Sequence, residues 1–273
     1  MSALGKRIRL QRVLDADSGT SLICALDHGM TSPTFLPPLA QIAERTREAV
    51  AGGANVLMIS RGMARLVAQE LRKTTAVAYM LSASANPGEG PSIAAVAEVD
   101  EALRSGADAV VLYVALGGPD ERAMIERLAG VGEATERLGV PFIAEAEWPS
   151  AYSSVEDVAT LGTDYLLRSV RLCAELGTDV IKTNWPGSEA DFGRLVEAAT
   201  GLPVVLAGGS RIDDEELLSR QEAAMRVGAV GCSVGRNIFM HERPEAITRA
   251  LRRVIVDRWP AQRALEELAG APV

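Results

Sequence analysis

Eight short apolar runs, each four to seven residues long, alternate with longer segments of helical period along almost the whole chain. The runs are Leu22–Leu26, Asn55–Ile59, Ala76–Leu81, Asp108–Val114, Pro141–Glu145, Asp179–Thr183, Pro203–Ala207 and Gly231–Val234. Each is of the near-continuous apolar kind that belongs in a parallel sheet covered on both faces. Many are preceded by a glycine able to stop the previous helix in the left-handed conformation: Gly53, Gly106, Gly139, Gly177, Gly201 and Gly228. The echo among AGGANVLMI, SGADAVVLY and LGTDVIKTN repeats one helix-stop, strand-start unit. Eight such β-α units, roughly 30 residues apart, predict a TIM (β/α)8 barrel rather than an open doubly wound sheet. The residues after the first run read DHGM, which is no dinucleotide-binding turn.

No low-complexity linker or abrupt change of composition divides the chain, so residues 1–273 read as a single α/β domain. A short helix over residues 5–16 precedes the barrel, whose strands run from about 21 to 235, and C-terminal helices occupy 244–270. The first of these, Pro244 to Val256, places Ala246, Ile247, Ala250, Leu251 and Val254 at helical spacing. Packing on the barrel is the default for that face, and a subunit contact is the other reading. The segment SASANPGEGP after the third run is a Gly/Pro-rich loop that either covers the barrel mouth as a lid or is plain surface.

In this fold, chemistry gathers at the C-terminal ends of the strands. There the chain places Asp27 and His28 on strand one, Ser60 and Arg61 on strand two and Tyr113 on strand four. Strand five carries Glu145 and Glu147, and strand six Lys182 and Asn184. Side chains alternate along a strand, so Asp27 shares a face with Ile23 and Ala25, Glu145 and Glu147 with Ile143, and Lys182 and Asn184 with Val180. If those faces point inward, one lysine and up to three carboxylates meet at the mouth. A self-neutralising buried charge network is the purely structural alternative, but the desolvation of four ionisable groups favours a functional site.

Lys182 stands out. Among 28 basic residues only Lys6, Lys73 and Lys182 are lysines, and arginine cannot lose its proton in a protein. Lys6 and Lys73 lie in polar neighbourhoods, whereas Lys182 follows Val180 and Ile181 in the body of a strand. Burial there is expected to lower its pKa and free its amine as a nucleophile. The other reading is a strand-end lysine paired with a carboxylate.

Strands seven and eight run into LAGGSRI and SVGRNIF, the usual place for a phosphate in this fold. Gly208 and Gly209 allow backbone N–H groups to approach, Ser210 adds a hydroxyl, Gly235 opens the eighth turn, and Arg211 and Arg236 supply charge. Two tight turns with solvated arginines would look the same. A lysine, acids and a phosphate site together suggest carbonyl chemistry through a Schiff base, with an acid/base group near the carbinolamine. Such chemistry needs no metal or cofactor, and the two histidines, His28 and His241, are too few for a typical zinc site. His28 is better read as a structural or substrate-contacting residue.

A net charge of −8 argues against nucleic acid or an anionic membrane as partner. The N-terminal residues lack the apolar core of a signal peptide, and no apolar run approaches the length of a membrane span. Cys24, Cys173 and Cys232, odd in number and widely spaced, read as reduced thiols of a cytoplasmic protein.

The motifs ALDHG, DVIKTNW, AGGSR and VGRNIFMH, together with GKRIRLQRVL and AGGANVLMISRGMAR, resemble the archaeal-type class I fructose-bisphosphate aldolases of the DeoC/LacD type over most of the chain. Within that family the resemblance leans toward the aminodideoxyheptulosonate synthases and their secondary-metabolism relatives, which join a phosphorylated ketose fragment to aspartate semialdehyde. It implies a Schiff-base lysine at Lys182, a catalytic aspartate at Asp27, phosphate-binding turns at Gly208, Gly209, Gly235 and Arg236, small-molecule ketose and aldehyde substrates, and a homo-oligomer. Arg211 replaces the lysine usual at its position.

Strand five departs from the pattern. The family reads Tyr-Pro-Arg-Gly, with the tyrosine as proton donor, where this chain reads AEAEWPS. Aligned without a gap, Glu147 takes the tyrosine position; with one insertion Trp148 does. Other branches, such as tagatose-bisphosphate aldolases, use a strand-five glutamate. Glu147 is therefore the first candidate for the acid/base, Glu145 the second, and Tyr113 a substitute donor. The rival activities are a thiolase-like acyl transfer using the same lysine, a sugar-phosphate isomerase or epimerase, and a metabolite-binding protein without catalysis.

Overall fold

The computed structural model describes residues 2–85, 92–117, 121–149 and 155–270. Its eight barrel strands are β1 (Ser21–Ala25), β2 (Val56–Ile59), β3 (Ala76–Met80), β4 (Ala109–Val114), β5 (Phe142–Ala146), β6 (Val180–Thr183), β7 (Val204–Ala207) and β8 (Gly231–Val234). They pair in parallel and close on themselves, β1 lying between β8 and β2. Every strand falls within one or two residues of an apolar run, because a strand covered on both faces has no polar position to blur its ends.

Alternation sorts the strand residues into two apolar layers. Ile23, Ala25, Val56, Met58, Ile143, Val180 and Val205 fill the barrel interior. Leu22, Cys24, Leu57, Leu112, Phe142, Ile181 and Leu206 face the surrounding helices. Each fully buried Val, Leu, Ile, Met or Phe among them contributes roughly 1.5–3 kcal/mol. The alternation carries upward as anticipated, so Tyr113, Glu145 and Lys182 stand side by side in register above the apolar interior.

The helix stops also follow the sequence. Gly53 adopts φ 110° and donates to Ala49 O at 3.1 Å, ending the helix Ile42–Gly52. The other five predicted stops likewise have positive φ. The N-terminal helix spans Ser2–Val13 rather than 5–16. It ends early because Asp15 Oδ1 accepts from Ser18 N at 2.9 Å and from Ser18 Oγ at 2.8 Å, an alternative to helical bonding. Val13 and Leu10 close the bottom of the interior. Asn55 Nδ2 donates to Val13 O at 3.1 Å, and Lys6 bridges Glu136 at 2.9 Å and Asp179 at 3.0 Å.

The C-terminal helix Pro244–Ile255 packs on the body of the protein, with Ile247, Ala250, Leu251 and Val254 buried. It approaches the helix Ile42–Gly52 so closely that a Cβ at Gly52 would lie 2.5 Å from Glu245 O. The helix Ala261–Gly270 completes the chain's described part. Ser82–Ala85 and Ser92–Ala95 form an antiparallel hairpin beyond β3. The sequence did not announce it, and residues 86–91 of the loop considered as a lid lie outside the described residues. Among the described residues, no helix is long and apolar enough to cross a membrane.

Candidate active site

Lys182 emerges from β6 into a layer of carboxylates. Its Nζ donates to Glu145 Oε1 at 2.5 Å, and Glu147 Oε1 lies 2.9 Å away as an ion pair without hydrogen-bond alignment. Glu145, Asp27 and Lys182 are buried. One ammonium thus faces three acids.

That charge count reverses the expected behaviour of the lysine. Burial pulls its pKa down, as anticipated, but Glu145, Glu147 and Asp27 together pull harder the other way, and the net shift is upward. The second consequence falls on Glu145, whose pKa burial pushes up to about 8, with Glu147 and Asp27 adding to the rise and Lys182 opposing it. The resting site therefore holds a proton on Lys182, and a second on Glu145 through neutral pH.

A stability prediction follows from Glu145. Its folded pKa of about 8 lies above its ordinary 4.5, so folding favours the protonated form. The resulting stabilisation is fully present below pH 4.5 and is lost as the pH rises through 8. Between pH 5 and pH 8.5 the wild-type Tm should fall by roughly 5 °C more than that of Glu145→Gln, read by thermal scans of both proteins.

The cavity around Lys182 has two lobes. Asp27, His28, Tyr113, Glu145, Glu147 and Arg236 line one of about 260 Å³, which also reaches Thr31, Ser32, Pro33 and Ser84. The other, of about 360 Å³, is lined by Asn184, Gly208, Gly209, Ser210, Gly235 and Ser233. Lys182, Glu147, His28 and Arg236 line both. Ser60 and Arg61 line neither lobe, but of the other residues singled out at the strand ends the structure brings together all except Arg211. That side chain is exposed and does not line the cavity, while Arg220, from the helix Asp214–Arg226, does.

Local packing explains how the lining is held. His28 packs edge-on against Phe239 at 5.1 Å, and a Cβ at Gly235 would lie 2.3 Å from its Cε1, so only glycine fits beneath the ring. Burial lowers the His28 pKa, with Lys182 and Arg236 adding to the effect and Asp27 and Glu147 opposing it; the imidazole is neutral at pH 7. Arg236 is also pulled down by burial, and its Nε has no hydrogen-bond partner among the described residues.

On strand five, Asn184 Oδ1 accepts from Trp148 N at 2.7 Å, and the indole Nε1 donates to Gly162 O at 3.1 Å. Trp148 is thereby held by both ends while Glu147 reaches the lysine. Tyr113 Oη donates to Trp148 O at 2.9 Å, so its hydroxyl is committed to the same segment.

Asn237 stands beside Arg236 at the end of strand eight, but sequence reasoning assigned it no role. It is buried, and its Nδ2 donates to Gly208 O at 2.9 Å and Ser210 O at 3.1 Å while its Oδ1 accepts from Ile212 N at 2.9 Å. It ties the eighth turn to the seventh. Asn237→Ala should cost about 2–4 kcal/mol, because it strands buried backbone groups; the denaturant midpoint reads this directly. Ser233 was also missed, though alternation from Gly231 to Gly235 puts it on the inward face.

Comparison with known proteins adds independent findings. The profile of the DeoC/LacD family aldolases matches residues 21–241. A 2-amino-3,7-dideoxy-D-threo-hept-6-ulosonate synthase of Halobacterium salinarum is 34% identical over 265 residues, 97% of each chain. A 2-amino-4,5-dihydroxy-6-oxo-7-(phosphonooxy)heptanoate synthase of Streptomyces griseus is 33% identical, covering 92% of this chain and 90% of its own. Among solved structures, an archaeal fructose-1,6-bisphosphate aldolase whose catalytic lysine is covalently bound to the carbinolamine intermediate superposes with a TM-score of 0.80 at 25% identity. The match covers 92% of this chain and 99% of that one.

Proposed function

The chain belongs to the DeoC/LacD family of aldolases, and from that premise we propose how its own residues perform the reaction. It is a class I aldolase that makes or breaks a C–C bond through an imine on Lys182. The observation that carries this reading is the lysine itself, the one side-chain amine among the described residues lining the cavity, buried where two lobes meet and 2.5 Å from the Glu145 carboxyl group.

The ammonium must first lose a proton. Glu145 accepts it in its ionised form, whose share grows as the pH rises toward its pKa of about 8. The free amine then attacks the ketone carbon of a phosphorylated ketose donor. The carbinolamine loses its hydroxyl as water, and the resulting iminium draws electrons from the adjacent carbon. Glu147 lines both lobes, so it can serve the carbinolamine and the substrate hydroxyl in turn. Asp27 adds negative charge beside the developing cation. Tyr113 and Asn184 brace the backbone of Trp148 and so hold Glu147 toward the lysine.

The donor's phosphate belongs over β7 and β8. Gly208 and Gly209 leave room for its oxygens, and Asn237 fixes the turn that presents them. Arg236, whose buried Nε has no partner among the described residues, supplies the charge.

Borohydride reduction in the presence of dihydroxyacetone phosphate tests the reading. Intact mass should rise by the mass of one reduced donor adduct, and peptide mapping should place it on Lys182. No adduct with any ketose or ketose phosphate would overturn the imine.

A further inference from the structure

The two lobes that meet at Lys182 differ in chemistry. One carries the glycine turns and Ser210; the other is lined by Asp27, Glu145 and Glu147 together with Ser84. Ser84 comes from the hairpin beyond β3 rather than from a barrel strand, and its pairing with Ile93 fixes which way it points. Its Oγ is shielded from solvent and has no hydrogen-bond partner among the described residues. The neighbouring hydroxyl of Ser82 is by contrast fully used, accepting from Tyr113 N at 3.1 Å and donating to Met80 Sδ at 3.4 Å. A hydroxyl held out of water without a partner weakens a fold, unless something that enters the cavity completes it.

Charge narrows what can enter. Arg236 is the sole guanidinium lining this lobe among the described residues, and it lines the phosphate lobe too. Lys182 is engaged with Glu145 and Glu147. Residues 86–91 and 150–154 contain no lysine or arginine. With Arg236 occupied by the donor's phosphate, a second phosphate here would meet three carboxylates and no free cation.

We propose that this lobe is the acceptor subsite, and that Ser84 is its specificity-determining residue, hydrogen-bonding a hydroxyl on a short aldehyde that carries no phosphate. The proposal rests on the imine at Lys182, which brings the donor carbon to the junction of the lobes. The carbon next to the iminium loses a proton to give an enamine and then bonds to the acceptor carbonyl carbon. The carbonyl π bond breaks, its oxygen takes up a proton to become a hydroxyl, and water releases the product from the regenerated iminium.

The test measures kcat/KM for paired acceptors with dihydroxyacetone phosphate as donor. Wild type should prefer glycolaldehyde over acetaldehyde by about 10-fold or more, because a site built to bond a hydroxyl penalises its absence. Ser84→Ala should bring that ratio to within about twofold, Ser84→Thr should restore it, and borohydride trapping of the donor should be unchanged in both. D-glyceraldehyde should outperform its 3-phosphate by about 10-fold in wild type. An unchanged glycolaldehyde preference in Ser84→Ala, or a phosphorylated acceptor favoured by wild type, overturns the proposal while leaving the imine intact. Failure of wild type to trap the donor overturns the imine reading and this proposal with it.

Discussion

Lys182→Arg should abolish the borohydride-stable adduct and lower turnover on the order of 10⁴-fold or more, while the barrel stays folded. The two effects separate because the lysine has two jobs. Its charge balances Glu145, Glu147 and Asp27, which lie around it in a buried layer. Its amine forms the imine. Arginine keeps the first job and cannot do the second, since its guanidinium does not deprotonate in a protein.

Lys182→Met removes both, and comparison of the two variants tests the charge argument. Stripping the cation from a buried pair typically costs about 3–5 kcal/mol. The loss should be smaller at pH 6 than at pH 9, because Glu145, with a pKa of about 8, is neutral at the lower pH. A surviving adduct in Lys182→Arg would point to another lysine, and only Lys6 and Lys73 remain. Neither suits the role. Lys6 is bound to Glu136 and Asp179 on the N-terminal helix, and Lys73 is exposed.

The strands were legible because their signal is local. An apolar run bounded by a glycine stop says where a buried strand begins and ends, and alternation then says which residues face inward. Ile143, Glu145 and Glu147 could be placed on one face without knowing anything of β6. What was illegible depended on sums or on reach. The direction of the Lys182 shift required counting three carboxylates against one ammonium; the position of the lysine in its strand revealed only the burial that opposes them.

Reach misled in the other two cases. Arg211 sits in the glycine turn and Arg220 lies on the helix that follows, yet Arg220 is the one that lines the cavity. A tight turn can aim a long side chain outward, and no period in the sequence records that. Asn237 braces the seventh turn through bonds spanning 25 to 29 positions, which no local pattern reports. The hairpin carrying Ser84 was missed because SASA and SIAA are short, small and weakly apolar, flanking a stretch rich in glycine and proline.

Glu147→Gln should lower turnover by about 10²-fold or more while leaving donor trapping on Lys182 measurable. The substitution keeps the shape and the polarity of the side chain and removes only its capacity to carry a proton. Asn184 and Tyr113 hold the adjoining Trp148 backbone, so the amide should occupy the carboxylate's place. Imine formation draws on Glu145, which is 2.5 Å from the lysine and already the hydrogen-bonded partner. Bond making and breaking in the substrate needs a group that reaches both lobes, and of the two glutamates only Glu147 lines both. A stopped-flow or quenched assay separates the two steps: trapping should approach its normal extent, and the lag should fall in the C–C step. A turnover within about threefold of wild type would move the proton to Glu145, since general acid–base catalysis by a positioned group is worth more than that. The same result would make the missing tyrosine of strand five a true loss. A large effect would instead show that a glutamate performs the tyrosine's task with a carboxyl group in place of a phenol.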